Sequence, residues 1–292
     1  MEIAGARIWI TGASSGIGAA LARELADRGA RVAISARSAD QLAEVAGNRM
    51  TVVPVDVTDR AATVAAGQMV REALGGLDVA VLNAGTWSQF HVEPWDSQLF
   101  ADHLQVNLMG AVHTLEAVVP QMLAEGRGRI VGMASVAGYR GLPGSEAYGA
   151  SKAALLNLLE ALRGSLAPRG VVVQILAPGF VRTRMTDRNR FPMPFKVEPT
   201  EAARSIADGI ARDKAEIVFP LPMMVAMKVA RLVPVRAWTA LTAALARRGL
   251  TKDPTAPTTR KLAAGPCSGA EKRGAGRQRS RPVSPGGRRR RR

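Results

Sequence analysis

Thr11-G-A-S-S-G-I-Gly18 separates two stretches of different rhythm. Ala6–Ile10 before it reads as a short strand, and Gly18–Asp27 after it repeats apolar residues at helical spacing. Glycines 12, 16 and 18 permit a tight turn, and they let backbone N–H groups approach a pyrophosphate at the positive end of the helix. The spacing is G-x-x-x-G-x-G rather than the G-x-G-x-x-G of the usual dinucleotide fingerprint. Set between a strand and a helix at the start of a βαβ unit, it still reads as a nucleotide turn. Contacts are expected from Gly12, Ser14, Ser15, Gly16, Ile17 and Gly18.

The same alternation continues outward. Arg31–Ser35, Thr51–Val55, Val79–Leu82, Arg129–Met133 and Val171–Leu176 read as further strands. Between them lie helical patterns at Asp40–Ala46, Ala61–Leu74, Trp95–Val119 and Ala147–Ala167. Strands alternating with helices of this length imply βαβ units and an α/β fold. The expected fold is a doubly wound parallel sheet of Rossmann type flanked by helices. Residues 1–220 should form this domain. Within it, Thr200–Arg212 reads as a helix capped by Thr200 and Ile217–Pro222 as a last strand cut by prolines.

Composition is consistent with that fold. Hydrophobic residues make up 47% of 292, whereas aromatics are only 4%, which suits close packing of helices on a sheet. The single Cys267 excludes an intramolecular disulfide framework and fits a reducing, cytoplasmic compartment. Met1–Gly12 enters the first strand at once, so no signal peptide is expected.

The net charge of +16 invites a nucleic-acid reading, but 13 Lys/Arg against 2 Asp/Glu fall in residues 251–292. The charge belongs mostly to that Gly/Pro/Ser/Arg-rich segment, expected to be a disordered tail. It could bind nucleic acid or anionic lipid, or be an incidental solvated end; nucleic-acid binding is the less favoured reading. Residues 221–250 read as amphipathic, cationic helices, with no apolar run of the roughly 18–20 residues needed to span a bilayer. They could cover the core, pair subunits, or lie on a membrane surface.

At the end of the second strand a dinucleotide-binding chain often carries a carboxylate for the ribose 2′-hydroxyl. Here stands Ser35-A-Arg37. A guanidinium there favours a 2′-phosphate, hence NADP(H) over NAD(H), although a surface arginine opening the next helix reads similarly. Asp56, followed by Val57, could accept from the adenine amino group.

Tyr148 and Lys152 share one helix face, about 5–6 Å apart at Cβ. Alone, the pair is either a tuned acid/base or a solvated surface. With the glycine turn, Asn83-A-Gly85 after the fourth strand, Asn107 in a helix, Ser135 after the fifth strand and Pro178-Gly179 after the sixth, the chain resembles the short-chain dehydrogenase/reductase family over about residues 5–220. Leu82 stands where many members carry another Asn, a minor departure.

The chemistry accounts for the pair. Hydride exchange between a nicotinamide and a carbonyl carbon needs a proton donor at the carbonyl oxygen. Tyr148 would serve as acid/base, with Lys152 stabilising its phenolate and holding ribose hydroxyls. Ser135 would donate to the substrate oxygen. The resemblance further implies that Asn107 anchors a proton-relay water and that Thr183 meets the nicotinamide carboxamide. It also implies cofactor contacts at Asn83, Ala84, Gly85, Pro178 and Gly179, and a homodimer or homotetramer paired through helices 95–119 and 147–167.

The expected activity interconverts a small-molecule alcohol and its ketone or aldehyde. A substrate loop is expected over residues 184–199, with Phe191, Met193 and Phe195, and with Tyr139, Leu142 and Trp87 nearby; this suggests an apolar substrate. Arg140, Arg182 and Arg184 leave an anionic one open. His91, His103 and His113 lack metal spacing and read as surface or helix residues. The competing functions are a non-catalytic nucleotide sensor, and an adaptor that docks through its basic tail.

Overall fold

A computed structural model describes residues 1–187 and 193–245. The basic tail, the last residues of the C-terminal extension and Phe191 lie outside the described residues.

The chain begins β1 (Arg7–Thr11), α1 (Gly16–Asp27), β2 (Arg31–Ser35), α2 (Ala39–Ala46), β3 (Thr51–Val52), α3 (Arg60–Leu74) and β4 (Val79–Leu82). There follow α4 (Ser97–Leu104), a π-helical turn (Gln105–Met109), α5 (Gly110–Glu125), β5 (Gly128–Met133), α6 (Glu146–Leu166) and β6 (Val171–Leu176). The described chain ends with α7 (Pro199–Ala211), β7 (Glu216–Ile217), α8 (Leu221–Leu232) and α9 (Val235–Leu245). All strand pairs are parallel, in the order β3-β2-β1-β4-β5-β6-β7. The order reverses between β1 and β4. Ligands of doubly wound sheets bind outside the strands' C-terminal ends at such a reversal.

Successive side chains of a strand point to opposite faces, and β1 divides accordingly. Ile8 and Ile10 join Leu21 and Leu25 of α1 and Ile206 and Ile210 of α7. Trp9 joins Val70 of α3, Val118 of α5 and Leu159 of α6 on the other face. The buried indole does not leave its N–H unpaired: Nε1 donates to Ser35 Oγ at 2.9 Å. Across the sheet, the Arg7 guanidinium grips Asp78 through Nε (2.8 Å) and Nη2 (2.6 Å), and this holds the Asp78 carboxyl below the usual carboxylate range.

Several local expectations needed correction. The helix read over Trp95–Val119 begins at Ser97, because the Asp96 carboxylate caps it by accepting from Leu99 N–H at 3.0 Å. Trp95 instead packs against Phe90 and Phe100. The π turn interrupts that helix at Asn107, and α5 runs on to Glu125. β3 stops at Val52, but Val53 and Val55 still donate to Ile34 O and Ala36 O, and Pro54 between them has no N–H to give to the other side. Pro199 occupies the first turn of α7 with Glu198 as N-cap, displacing the cap assigned to Thr200. Ile217–Pro222 is not one strand: β7 ends at Ile217, and Pro222 sits in the first turn of α8. α8 packs into the core through Met223 and Met227.

Candidate active site

A cleft of about 590 Å³ opens at the reversal. The glycine turn forms one wall. Asn83 Nδ2 donates to both Thr11 O and Gly12 O, each at 2.9 Å, and Thr11 Oγ1 accepts from Asn83 N–H at 3.2 Å. Asn83 thus braces the turn, using both amide hydrogens on carbonyls. Leu82 faces the opposite core and takes no part in this brace.

Gly12 has φ +68, and a Cβ there would stand 2.6 Å from Ala84 Cα. Gly12→Ala combines a left-handed backbone with a clash against main chain, at about 2 kcal/mol or more. The melting temperature should fall by roughly 4–8 °C and nucleotide retention should be lost in a dialysis assay. Unchanged retention would contradict a ligand seated on this turn.

Helix α1 rises from the turn without a side-chain cap, whereas Ser38, Asp59 and Asp96 cap α2, α3 and α4. Its first N–H groups therefore remain open to a ligand, with no acidic residue in the first turn to oppose an anion. Ser14, Ser15, Ile17 and Gly18 line the same wall. Thr183 arrives from the far side of the chain. Its Cγ2 would stand 3.1 Å from a Cβ on Gly16, so Thr183 lies over the turn. A knot of hydrogen bonds holds it there: Thr186 Oγ1 accepts from Thr183 N–H at 2.9 Å and donates to Val181 O at 2.7 Å.

At one end of the cleft stand Arg37, exposed at the close of β2, and Asp56. Asp56 Oδ1 accepts from Thr58 N–H (3.0 Å) and Thr58 Oγ1 (2.8 Å), which fixes its carboxylate. Val57 beside it is touched so closely by Gly110 that a Cβ there would lie 2.5 Å from Val57 Cγ2. Arg37 forms no ion pair among the described residues. Ser38 and Gln41 also line this end and were missed at the sequence level. The S-x-x-Q spacing of Ser38–Gln41, a helix-start signature, was the available signal, and Ser38 Oγ does accept from Gln41 N–H at 3.4 Å.

The other end holds Ser135, Tyr148, Lys152, Pro178 and Gly179. A short 3₁₀ turn, Val136–Gly138, carries the chain from β5 onto α6. A Cβ on Gly138 would be 2.8 Å from the Lys152 carbonyl carbon, so only glycine lets this turn lie against the helix. The resulting contact sets Ser135 beside Tyr148, close enough to act on its hydroxyl. Lys152 is 3% exposed; its ammonium lies 5.8 Å from the centre of the Tyr148 ring and donates to Met133 O at 2.7 Å. Burial lowers the Lys152 pKa to about 8 and raises that of Tyr148, partly offset by the Ser135 hydroxyl.

Asn107 lies behind this group, fully buried in the π turn. Its side chain brackets Thr86: Oδ1 accepts from Thr86 N–H at 2.7 Å, and Nδ2 donates to Thr86 O at 3.0 Å and Ser151 Oγ at 2.9 Å. A Cβ on Gly85 would touch Asn107 Oδ1 at 3.2 Å and Lys152 Nζ at 3.5 Å. Gly85 therefore lies against both side chains, where a larger residue would crowd them. Thr86 and Val106 line the cleft as well and went unread; no sequence signal marked them.

The residues expected around the substrate divide. Arg184 and Met185 line the cleft. Tyr139 turns away and donates its hydroxyl to the Glu216 carboxylate, so burial and that carboxylate push its pKa well up. Arg140 donates to Val233 O at 2.7 Å, and Arg182 pairs with Glu198 at 2.6 Å. His103 and His113 are helix residues but buried rather than on the surface. His103 Nε2 accepts from Ser88 N–H at 3.0 Å while Nδ1 bonds Leu99 O at 2.7 Å. His113 Nδ1 lies 2.9 Å from Val57 O.

The family model for short chain dehydrogenases matches residues 6–192. The chain belongs to the short chain dehydrogenase family. This dehydrogenase is 41% identical over 233 residues to an uncharacterized oxidoreductase of Myxococcus xanthus, covering 77% of this chain and 91% of the relative. An uncharacterized oxidoreductase of Staphylococcus saprophyticus is 34% identical over 203 residues, covering 67% and 87%. Among solved structures, a short chain dehydrogenase/reductase from Burkholderia phymatum in complex with NAD superposes with TM-score 0.72 at 27% identity, over 78% of this chain and 93% of that one. One from Burkholderia cenocepacia in complex with NADP gives TM-score 0.72 at 28% identity, over 87% and 100%. The enzyme class is thereby an oxidoreductase of this family.

Proposed function

We propose that this dehydrogenase interconverts an apolar alcohol and its ketone or aldehyde, with NADP(H) as the favoured coenzyme and NAD(H) also accommodated. One observation carries the reading. Two hydroxyls and a buried ammonium, from Ser135, Tyr148 and Lys152, share one cleft with an uncapped helix start and a glycine turn.

The coenzyme fits the residues present. The open N–H groups of α1 suit a pyrophosphate, and the left-handed Gly12 and Gly16 shape the turn that presents them. Arg37, with no carboxylate between Ser35 and Ser38, suits a 2′-phosphate. When bound, the nicotinamide supplies or accepts the hydride. The protein supplies the proton. In reduction, Ser135 Oγ donates a hydrogen bond to the carbonyl oxygen and Tyr148 Oη gives that oxygen its proton, leaving a phenolate. The Lys152 ammonium stabilises the phenolate. Proton return from solvent is assigned to the path beside Gly85, where Asn107 and Lys152 converge.

Burial raises the Tyr148 pKa, so the phenol is protonated at neutral pH, the form that carbonyl reduction needs. Reduction should therefore be the faster direction near pH 7, and oxidation should gain as pH rises and phenolate accumulates. A pH series of both directions checks this; oxidation that does not accelerate toward alkaline pH would contradict it.

Arg37→Asp tests the coenzyme assignment. Loss of a charge-assisted pair is worth about 1.5–3 kcal/mol. The ratio of kcat/KM for NADPH to that for NADH should drop roughly tenfold to hundredfold. An unchanged ratio would remove the 2′-phosphate contact. The apolar character of the substrate rests on Val106, Val181 and Met185 along the cleft and on the engagement of Arg140 and Arg182 elsewhere; Arg184, which also lines the cleft, leaves room for an anionic group on that substrate. A panel of ketones and alcohols, followed by nicotinamide absorbance, ranks the substrates.

A further inference from the structure

Helix α8 is apolar on two opposite faces, yet the described fold covers only one. Met223, Met227 and Ala230 enter the core. Half a turn away, Leu221 is 65% exposed, Val225 50%, Val229 55% and Leu232 83%. At 100° per residue these four fall within one quadrant of the helix. A helix that is hydrophobic all round normally has both sides buried. Helix α9 continues the surface: it buries none of its residues, and Val235, Leu241 and Leu245 are exposed.

Neither helix carries an acidic residue. From Ile217 to Lys252 the sequence holds no Asp or Glu, while Lys228, Arg231, Arg236, Arg247, Arg248 and Lys252 are cationic. Lys228 and Arg231 sit on a flank of α8, Lys228 paired to Glu216 and Arg231 over the Tyr139 ring. Trp238 lies at the inner edge of α9, where Nε1 donates to Gly141 O at 2.7 Å and the Arg140 guanidinium stacks 5.8 Å from its ring. An apolar face, a cationic rim and an indole at the boundary are the features of a helix lying in a membrane interface.

Two other occupants fit less well. A second copy joined through this face would set two cationic helix pairs against each other, with no Asp or Glu on α8 or α9 to pair them and Glu216 already engaged by Lys228. The rest of the chain, 253–292, offers only Leu262 and Val283 as large aliphatic residues and cannot cover seven exposed ones. An anionic lipid surface satisfies both requirements, since acyl chains take the apolar side chains and headgroups take the Lys and Arg, including the 13 Lys/Arg of residues 251–292. We propose that α8 and α9 form a monotopic attachment site for anionic bilayers. Among the described residues no helix is long and apolar enough to cross a membrane, so the contact lies in the interface plane. This is independent of the coenzyme and catalytic assignments.

The test is vesicle co-sedimentation of the full chain, comparing pure phosphatidylcholine with phosphatidylcholine containing roughly a third phosphatidylglycerol. The chain should pellet with the anionic vesicles. The double variant Val225→Glu/Leu232→Glu should weaken that binding tenfold or more, with NADPH-dependent reduction of a water-soluble ketone unchanged. Both positions are exposed, and a thermal melt verifies that the variant folds. Brominated lipid should quench the wild-type tryptophan emission, and Trp238→Phe should remove most of that quenching. The proposal is overturned if the wild type stays in the supernatant with both vesicles, or if the double variant binds equally, which would assign binding to the basic tail alone. It is also overturned if the double substitution converts a dimer to a monomer without affecting vesicle binding, which would make the face a contact between copies.

Discussion

Tyr148→Phe is expected to lower kcat for carbonyl reduction by a factor of roughly 10²–10⁴, the usual contribution of a positioned general acid. Coenzyme affinity should stay within a few-fold of wild type. The reason for the split is geometric. The glycine turn and the open end of α1, which are assigned to the nucleotide, are built from segments other than the helix that carries Tyr148. The ring itself remains to fill its place. Steady-state kinetics beside a fluorescence titration with NADPH separates the two effects. A variant that turns over at the wild-type rate would remove Tyr148 as proton donor; one that also stops binding coenzyme would give the tyrosine a binding role instead.

Lys152→Met is expected to abolish most turnover and at the same time alter how stability depends on pH. Burial depresses the ammonium pKa from 10.5 to about 8. Between those values the folded chain holds fewer protons than the unfolded one, so stability rises with pH from 8 toward 10.5; below 8 the cost of the buried ammonium is present in full. Tyr148 acts in the opposite direction above its ordinary value of 10.0, because its raised pKa keeps the folded chain protonated there and stability falls. The visible gain therefore lies between about pH 8 and 10.

A displacement of that size corresponds to about 3 kcal/mol, an upper figure. Methionine removes this cost but leaves Met133 O without its donor, which costs about 1–3 kcal/mol. The net change at pH 7 is therefore small, and the slope is the sharper measure. Thermal melts of wild type and variant at pH 7 and pH 9.5 should give a rise for the wild type and a flat response for the variant. Equal slopes would mean that Lys152 is not a buried, cost-bearing cation. Such a cost is what a site retains when it needs a charge where folding alone would not put one.

The legibility of this site followed the range of its contacts. Gly12, Gly16 and Gly18 act within one turn, and Tyr148 and Lys152 within one helix, so their spacing could be read directly. Ser38 and Gln41 were equally local and went unread, although their capping signature was present. Thr86 and Val106 could not have been read, because Thr86 is placed by the side chain of Asn107, 21 residues away. Tyr139 and Arg140 failed for the complementary reason. An aromatic and a cation on a loop after β5 suggest a substrate wall, but Glu216 and the Val233 carbonyl, 77 and 93 residues along, claim them first.

The amino-acid order by itself determined the alternation of strands and helices, the turn at residues 11–18 and the shared face of Tyr148 and Lys152, because each depends on backbone preference and periodicity within a single segment. Only the tertiary structure decided that Thr183 lies over Gly16, that Ser135 meets Tyr148, that Lys152 loses water and with it part of its basicity, and that α8 buries one apolar face and leaves the other open. Those outcomes depend on which distant surfaces meet and exclude solvent, and burial is a property of the assembled layers rather than of any one stretch of chain.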